Sequence, residues 1–73
     1  MDEKELKELL LRENAEFRRA YDDHQECEKA LDAIRGKANL STAEADEERE
    51  LKKKKLALKD RMYRLMSDFL RAR

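Results

Sequence analysis

The apolar residues of the first half of the chain fall at Leu6, Leu10, Phe17, Ala20, Cys27, Leu31 and Ile34, with His24 completing the row. Apart from one gap at Glu13, the steps alternate three and four, which lines a single helical face. In heptad terms Leu10, Phe17, His24 and Leu31 share one position, and Leu6, Ala20, Cys27 and Ile34 share the other. A second stripe, Leu51, Leu58 and Leu65 with Met62 and Phe69 between, runs along the other half. The two stripes are out of phase. Extending the first register puts Lys52, Lys55 and Lys59 on the seam and the three leucines off it, a slip of one residue across 36–42. A single rod could absorb that slip only as a stutter. Two helices joined by a short connection bury both stripes against each other, and short connections favour antiparallel neighbours.

The punctuation agrees with two arms. Gly36 suits the left-handed residue that ends a helix. Five residues later Ser41-Thr42-Ala43-Glu44 spells a capping box, with acidic residues following in the first turn. Near the start, Asn14 can cap a fresh helix by accepting a backbone N–H from Glu16 or Phe17. The expected fold is all-α: one domain, a coiled-coil-like antiparallel two-helix hairpin. Arm 1 covers about 2–35 with a break or kink near 13–14, which makes 2–12 a short extra N-terminal helix. The loop is about 36–41, and arm 2 is about 42–71. With 49% charged residues, no Pro and one Gly in 73 residues, the chain reads as solvated helices with a thin seam, and its stability is expected to be marginal.

The net charge is zero but unevenly placed. Residues 1–48 carry 15 acidic and 8 basic side chains (8 − 15 = −7), and residues 49–73 carry 10 basic and 3 acidic (10 − 3 = +7). The basic half opens with LKKKKLALKD at 51–60. Consecutive helical residues lie about 100° apart, so this run cannot form one cationic face. With Leu51, Leu58 and Leu65 inward, Lys52 and Lys59 line one flank of the seam and Lys54 and Arg61 the other. Lys53 points outward, and Lys55 falls on the seam. Acidic flanks of the first arm are then expected to meet them, Glu28 near Lys52, and Asp23 and Glu16 near Lys54 and Arg61.

These placements bear on function. A nucleic-acid surface needs free cations and, for single strands, exposed aromatic platforms; with acidic partners nearby and only Tyr63 exposed, that reading is the runner-up. Membrane-surface binding would need the basic arm's apolar stripe, which the hairpin already uses, and no apolar run reaches the ~20 residues of a membrane span. The start, MDEKELKELLLRE, lacks the basic and apolar regions of a signal peptide, and one cysteine makes no internal disulfide; the expectation is a cytoplasmic, unprocessed protein. His24 and Cys27 could face one metal, but zinc wants four ligands and the chain has no further His or Cys. No metal, cofactor or small-molecule substrate is expected. No Gly-rich phosphate loop or nucleophile–base pair suggests catalysis.

Two seam positions are polar, His24 and Lys55. Such residues fix register or partner number at a cost in stability; if the two approach each other, acidification below about pH 6 should loosen the hairpin. A second apolar row on the basic arm, Leu56, Tyr63 and Leu70 joined by Met66, lies roughly 100° round from the first. One partner helix cannot cover both rows, so this one is the candidate face for association.

Phe17, the Asp23-His24 pair, Ile34 and above all LKKKKLALKD resemble the YdcH-like family of small bacterial proteins, a domain of unknown function, over roughly residues 6–69. The resemblance implies an antiparallel two-helix hairpin with no assigned activity, cofactor or substrate. Departures are Cys27 where the family usually has Leu, Lys54 where an acidic residue is common, and Asn14-Ala15 in place of an Asp-Pro type of break. The functional expectation is a non-enzymatic interaction or adaptor module, self-associating or bound to an unidentified protein. The alternative is a nucleic-acid-binding accessory protein using the basic arm.

Overall fold

The computed structural model describes residues 1–72 and contains three helices: α1 (Glu3–Glu13), α2 (Ala15–Arg35) and α3 (Thr42–Arg71). The all-α expectation holds, but the two-helix hairpin is corrected to a hairpin of α2 and α3 with a separate helix packed on it. The cause is one residue. Asn14 is extended (φ −123°, ψ 106°), so the chain leaves the axis of α1 there. Its backbone N–H donates to the Leu10 carbonyl at 2.8 Å, closing α1. Its side-chain oxygen accepts the Phe17 N–H at 3.0 Å, opening α2. The same residue ends one helix and caps the next.

Freed from the line of α2, α1 lies back over the body. Leu6 and Leu10 join Phe17, Ala20, Met62 and Met66 in one buried cluster drawn from all three helices. At the far end the core consists of Cys27, Leu31 and Ile34 on α2. The inward face of α3 is accordingly rotated from the expected one. Met62 and Met66 are buried, whereas Leu51, Leu58 and Leu65 are half-buried. A third helix on one side pulls the buried stripe of α3 towards itself.

α2 and α3 run antiparallel, as cross-helix ion pairs record in reverse order: Arg35 with Glu48 at 3.8 Å, Glu28 with Lys55 at 2.5 Å, and Glu16 with Arg61. The turn between them differs from expectation in one detail. Gly36 is right-handed (φ −74°, ψ −9°), and a Cβ there would meet only the Asp32 carbonyl oxygen at 3.5 Å and that of Ala33 at 3.7 Å. Helix α2 ends by tightening, with the Gly36 N–H donating to Asp32 and the Lys37 N–H to Ile34, both at 3.1 Å. Left-handed geometry is not used.

Helix α3 begins with the expected capping box. The Glu44 N–H donates to the Ser41 hydroxyl and the Ser41 N–H to the Glu44 carboxylate, each at 3.1 Å. Lys37, in the loop, also binds that carboxylate. Lys37 first, then the Ser41 donors, hold the Glu44 carboxyl down at about 2, from an ordinary 4.5. A depressed carboxyl stabilises the fold above its unfolded value, and the contribution disappears as pH falls through the folded one. Thermal midpoints should therefore decline as pH falls from about 4.5 towards 2. In Glu44→Gln the decline should be shallower and the midpoint at pH 7 lower. Circular dichroism melts across this range check both.

Candidate functional site

The lysine run is divided among different partners. Lys52 reaches Glu48 and Lys53 reaches Glu50, each at 3.7 Å within α3. Lys55 crosses to Glu28 on α2, and Arg61 crosses to Glu16. Among the described residues, Lys54, Lys59 and Asp23 make no ion pair within 4.0 Å. The Glu16–Arg61 pairing thus appears in the geometry, while the expected Glu28–Lys52 approach is corrected to Glu28–Lys55. The difference is about one helical turn. Lys52 is occupied by its own helix, and the seam lysine Lys55, half-buried, is the side chain that Glu28 can reach.

His24 is half-buried on α2, with its Nε2 atom enclosed and lacking a hydrogen-bond partner. It borders a cleft of about 440 Å³ between the helices, shared with Lys7, Tyr21, Lys59, Met62 and Tyr63. The expected pH sensitivity is conditional on His24 and Lys55 approaching each other. Lys55 is instead bound by Glu28, one turn beyond His24 on the same helix. Lys55 holds the Glu28 carboxyl below its ordinary value, against the opposing effect of desolvation, and the charges of His24 and Arg35 act in the same direction as Lys55. Two carboxylates of the hairpin, Glu28 and Glu44, are thus held below their ordinary values. Cys27, three residues on, is buried in the core at 3% exposure and fills an apolar position.

The second apolar row of α3 is only partly where the sequence placed it. Leu56, Tyr63 and Leu70 are 62%, 44% and 49% exposed, but Met66 is buried at 5%. Met66 leaves the candidate face because α1 covers it, Leu6 belonging to the same cluster. Tyr63 is flanked by α1 as well. Its hydroxyl donates to the Glu3 carboxylate at 3.4 Å, and the Lys7 ammonium stands 6.0 Å from its ring centroid, a distance at which a cation is still attracted to the ring. The sequence signal for this cover was present in the leucines of α1. Their direction of approach, set by the Asn14 backbone, was not. What remains open is the outer side of α3 around Leu56, continuing to Leu70.

A family model described as a protein of unknown function, DUF465, matches residues 17–66. The chain belongs to this family. It is the YdcH-like family that LKKKKLALKD resembles, and the matched span is α2, the turn and α3 as far as Met66. In this DUF465 chain α1 lies outside the matched span, as do Leu70 and the end of α3. No curated protein and no solved structure matches the chain. Among the described residues, no helix is long and apolar enough to cross a membrane.

Proposed function

We propose that this DUF465 chain is a non-enzymatic helical interaction module that acts by self-association through the outer face of α3. The observation carrying this reading is the row Leu56, Tyr63 and Leu70, large apolar side chains seven apart that the chain's own helices leave 44–62% exposed. Exposed apolar residues scattered singly need no explanation, but a row on one face of one helix gives a partner helix a stripe to bury. Its interior is already spent on three helices, so a second chain is the simplest cover.

Sedimentation equilibrium is the direct test. The wild-type chain should show a dimer or higher species at high micromolar concentration. Leu56→Glu combined with Leu70→Glu, both on exposed positions, should return it to monomer with its helix content intact. A clean wild-type monomer at that concentration would sink the reading.

A further inference from the structure

Both tyrosines of the chain and its one histidine border the same cleft, three of the five ring side chains present (two Phe, two Tyr and one His). This cleft of about 440 Å³ is lined from all three helices: Lys7 of α1, Tyr21 and His24 of α2, and Lys59, Met62 and Tyr63 of α3. Tyr21 and His24 stand three apart, and Lys59 and Tyr63 four apart, so each pair shares one face of its helix. Met62, 8% exposed, gives the cleft a buried apolar wall.

Two groups here are not spent on holding the fold together. Lys59 makes no ion pair within 4.0 Å among the described residues. The Nε2 atom of His24 is enclosed and has no hydrogen-bond partner. Leaving such an atom unmet is costly, and a polar guest at the wall of the cleft relieves it. Lys7, its ammonium 3.1 Å from Glu3 and 6.0 Å from the Tyr63 ring centroid, brings a second cation to the end where Lys59 lies. The far end differs. Asp32, which also lines the cleft, stands about 16 Å along α2 from Tyr21. Near it Glu28 is bound by Lys55, and Lys29 is held loosely by Glu26 at 3.8 Å.

We propose that this cleft binds a small aromatic carboxylate, its ring against Tyr21, Tyr63 and Met62 and its carboxylate at Lys59 and Lys7. Aromatic faces and a thioether favour a flat ring over an aliphatic chain of equal size. The volume is in the range of small-molecule sites. Ammonium groups give a carboxylate charge-assisted hydrogen bonds, roughly twice as strong as neutral ones. Charge also selects the ligand. A cationic ring would be repelled by Lys7 and Lys59, and a second anionic end would meet Asp32. The ligand is bound, not transformed. Its site is separate from the association proposed above, since neither Leu56 nor Leu70 lines the cleft.

Proton NMR of the full chain titrated with benzoate tests this. His24 is the only histidine, so its ring protons report on the cleft without ambiguity. Benzoate should shift the His24 and tyrosine ring resonances saturably, with a Kd on the order of 1 mM. Benzylammonium, the same ring with the opposite charge, and acetate, the same charge without the ring, should each bind about tenfold more weakly or worse. Lys59→Glu should weaken benzoate by about tenfold or more, whereas Lys59→Arg should stay within about threefold of wild type. Circular dichroism on both variants checks that the helices are formed. Leu56→Glu combined with Leu70→Glu should bind benzoate with an unchanged Kd, whatever the oligomeric state of the wild type, so failure of the site and failure of self-association are read separately. Loss of binding in that double variant would put the ligand on the outer face of α3 and overturn the site. So would the absence of a saturable shift, equal affinity for either control, or a Lys59→Glu chain that binds benzoate as the wild type does.

Discussion

Phe17→Ala is expected to remove most of the cooperative stability of the chain. Phe17 is 0% exposed and, with Leu10 and Leu31, one of the largest fully buried side chains. It sits in the first turn of α2, where its N–H is capped by Asn14, and its ring lies in the cluster that gathers Leu6 and Leu10 of α1 with Met62 and Met66 of α3. Truncating a buried phenylalanine costs about 3–5 kcal/mol, partly as lost transfer energy and partly as the cavity left behind. At roughly 0.05–0.15 kcal/mol per residue, a chain of 73 residues has only about 4–11 kcal/mol in total. Urea titration followed by far-ultraviolet circular dichroism should show the midpoint reduced by half or more, or no folded baseline at all. Phe17→Leu, which retains most of the volume, should cost about 1.5 kcal/mol or less. A midpoint unchanged by the alanine variant would mean that the three-helix cluster does not hold the fold together.

The elements themselves were legible because their signals are local. Asn14 and the Ser41–Glu44 box are side-chain hydrogen bonds spanning three residues, so the sequence specifies them wherever the rest of the chain goes. The phase slip between the stripes excluded a simple rod. The direction of α1 was not legible: it depends on one extended backbone at Asn14, and no local pattern says towards which neighbour the leucines then turn. Two misplacements follow from that one unknown. Met66 reads as part of an outer face because nothing local says that the short helix at 2–12 turns back to cover it, and Leu51, Leu58 and Leu65 read as the centre of a seam that α1 shifts towards Met62 and Met66. The register was legible only to about a turn. Acid on α2 and base on α3 predict pairing in general, but Glu48 claims Lys52 from within α3, and that competition leaves Glu28 to Lys55. Gly36 marked the turn correctly through its place in the chain and not through its dihedral angles.

Leu10→Asp should detach α1 while leaving the hairpin of α2 and α3 formed. Leu10 is 1% exposed and Leu6 4%, and these two side chains are what α1 contributes to the core. A carboxylate buried in that cluster would have neither partner nor water, so undocking is the less costly response. An undocked α1 cannot persist as a helix, because 11 residues fall short of the ~12–15 at which isolated helices become even marginal. Its 11 residues, set against the 21 of α2 and 30 of α3, amount to roughly a sixth of the helix. The mean residue ellipticity at 222 nm should fall by about that fraction, and amides 5–13 should lose hydrogen-exchange protection. Amides around Leu31 and Ile34 should keep theirs, since their end of the hairpin is closed by Arg35–Glu48 and Glu28–Lys55 and lies outside the buried cluster that α1 joins. Undocking also uncovers Met66 beside Tyr63 and Leu70, which widens the apolar face of α3. Sedimentation of Leu10→Asp should therefore show stronger association than wild type, the opposite of Leu56→Glu with Leu70→Glu. If instead most of the ellipticity is lost, α1 belongs to the same cooperative unit as the hairpin, and the span 17–66 matched by the family model would not fold in this chain without the helix that precedes it.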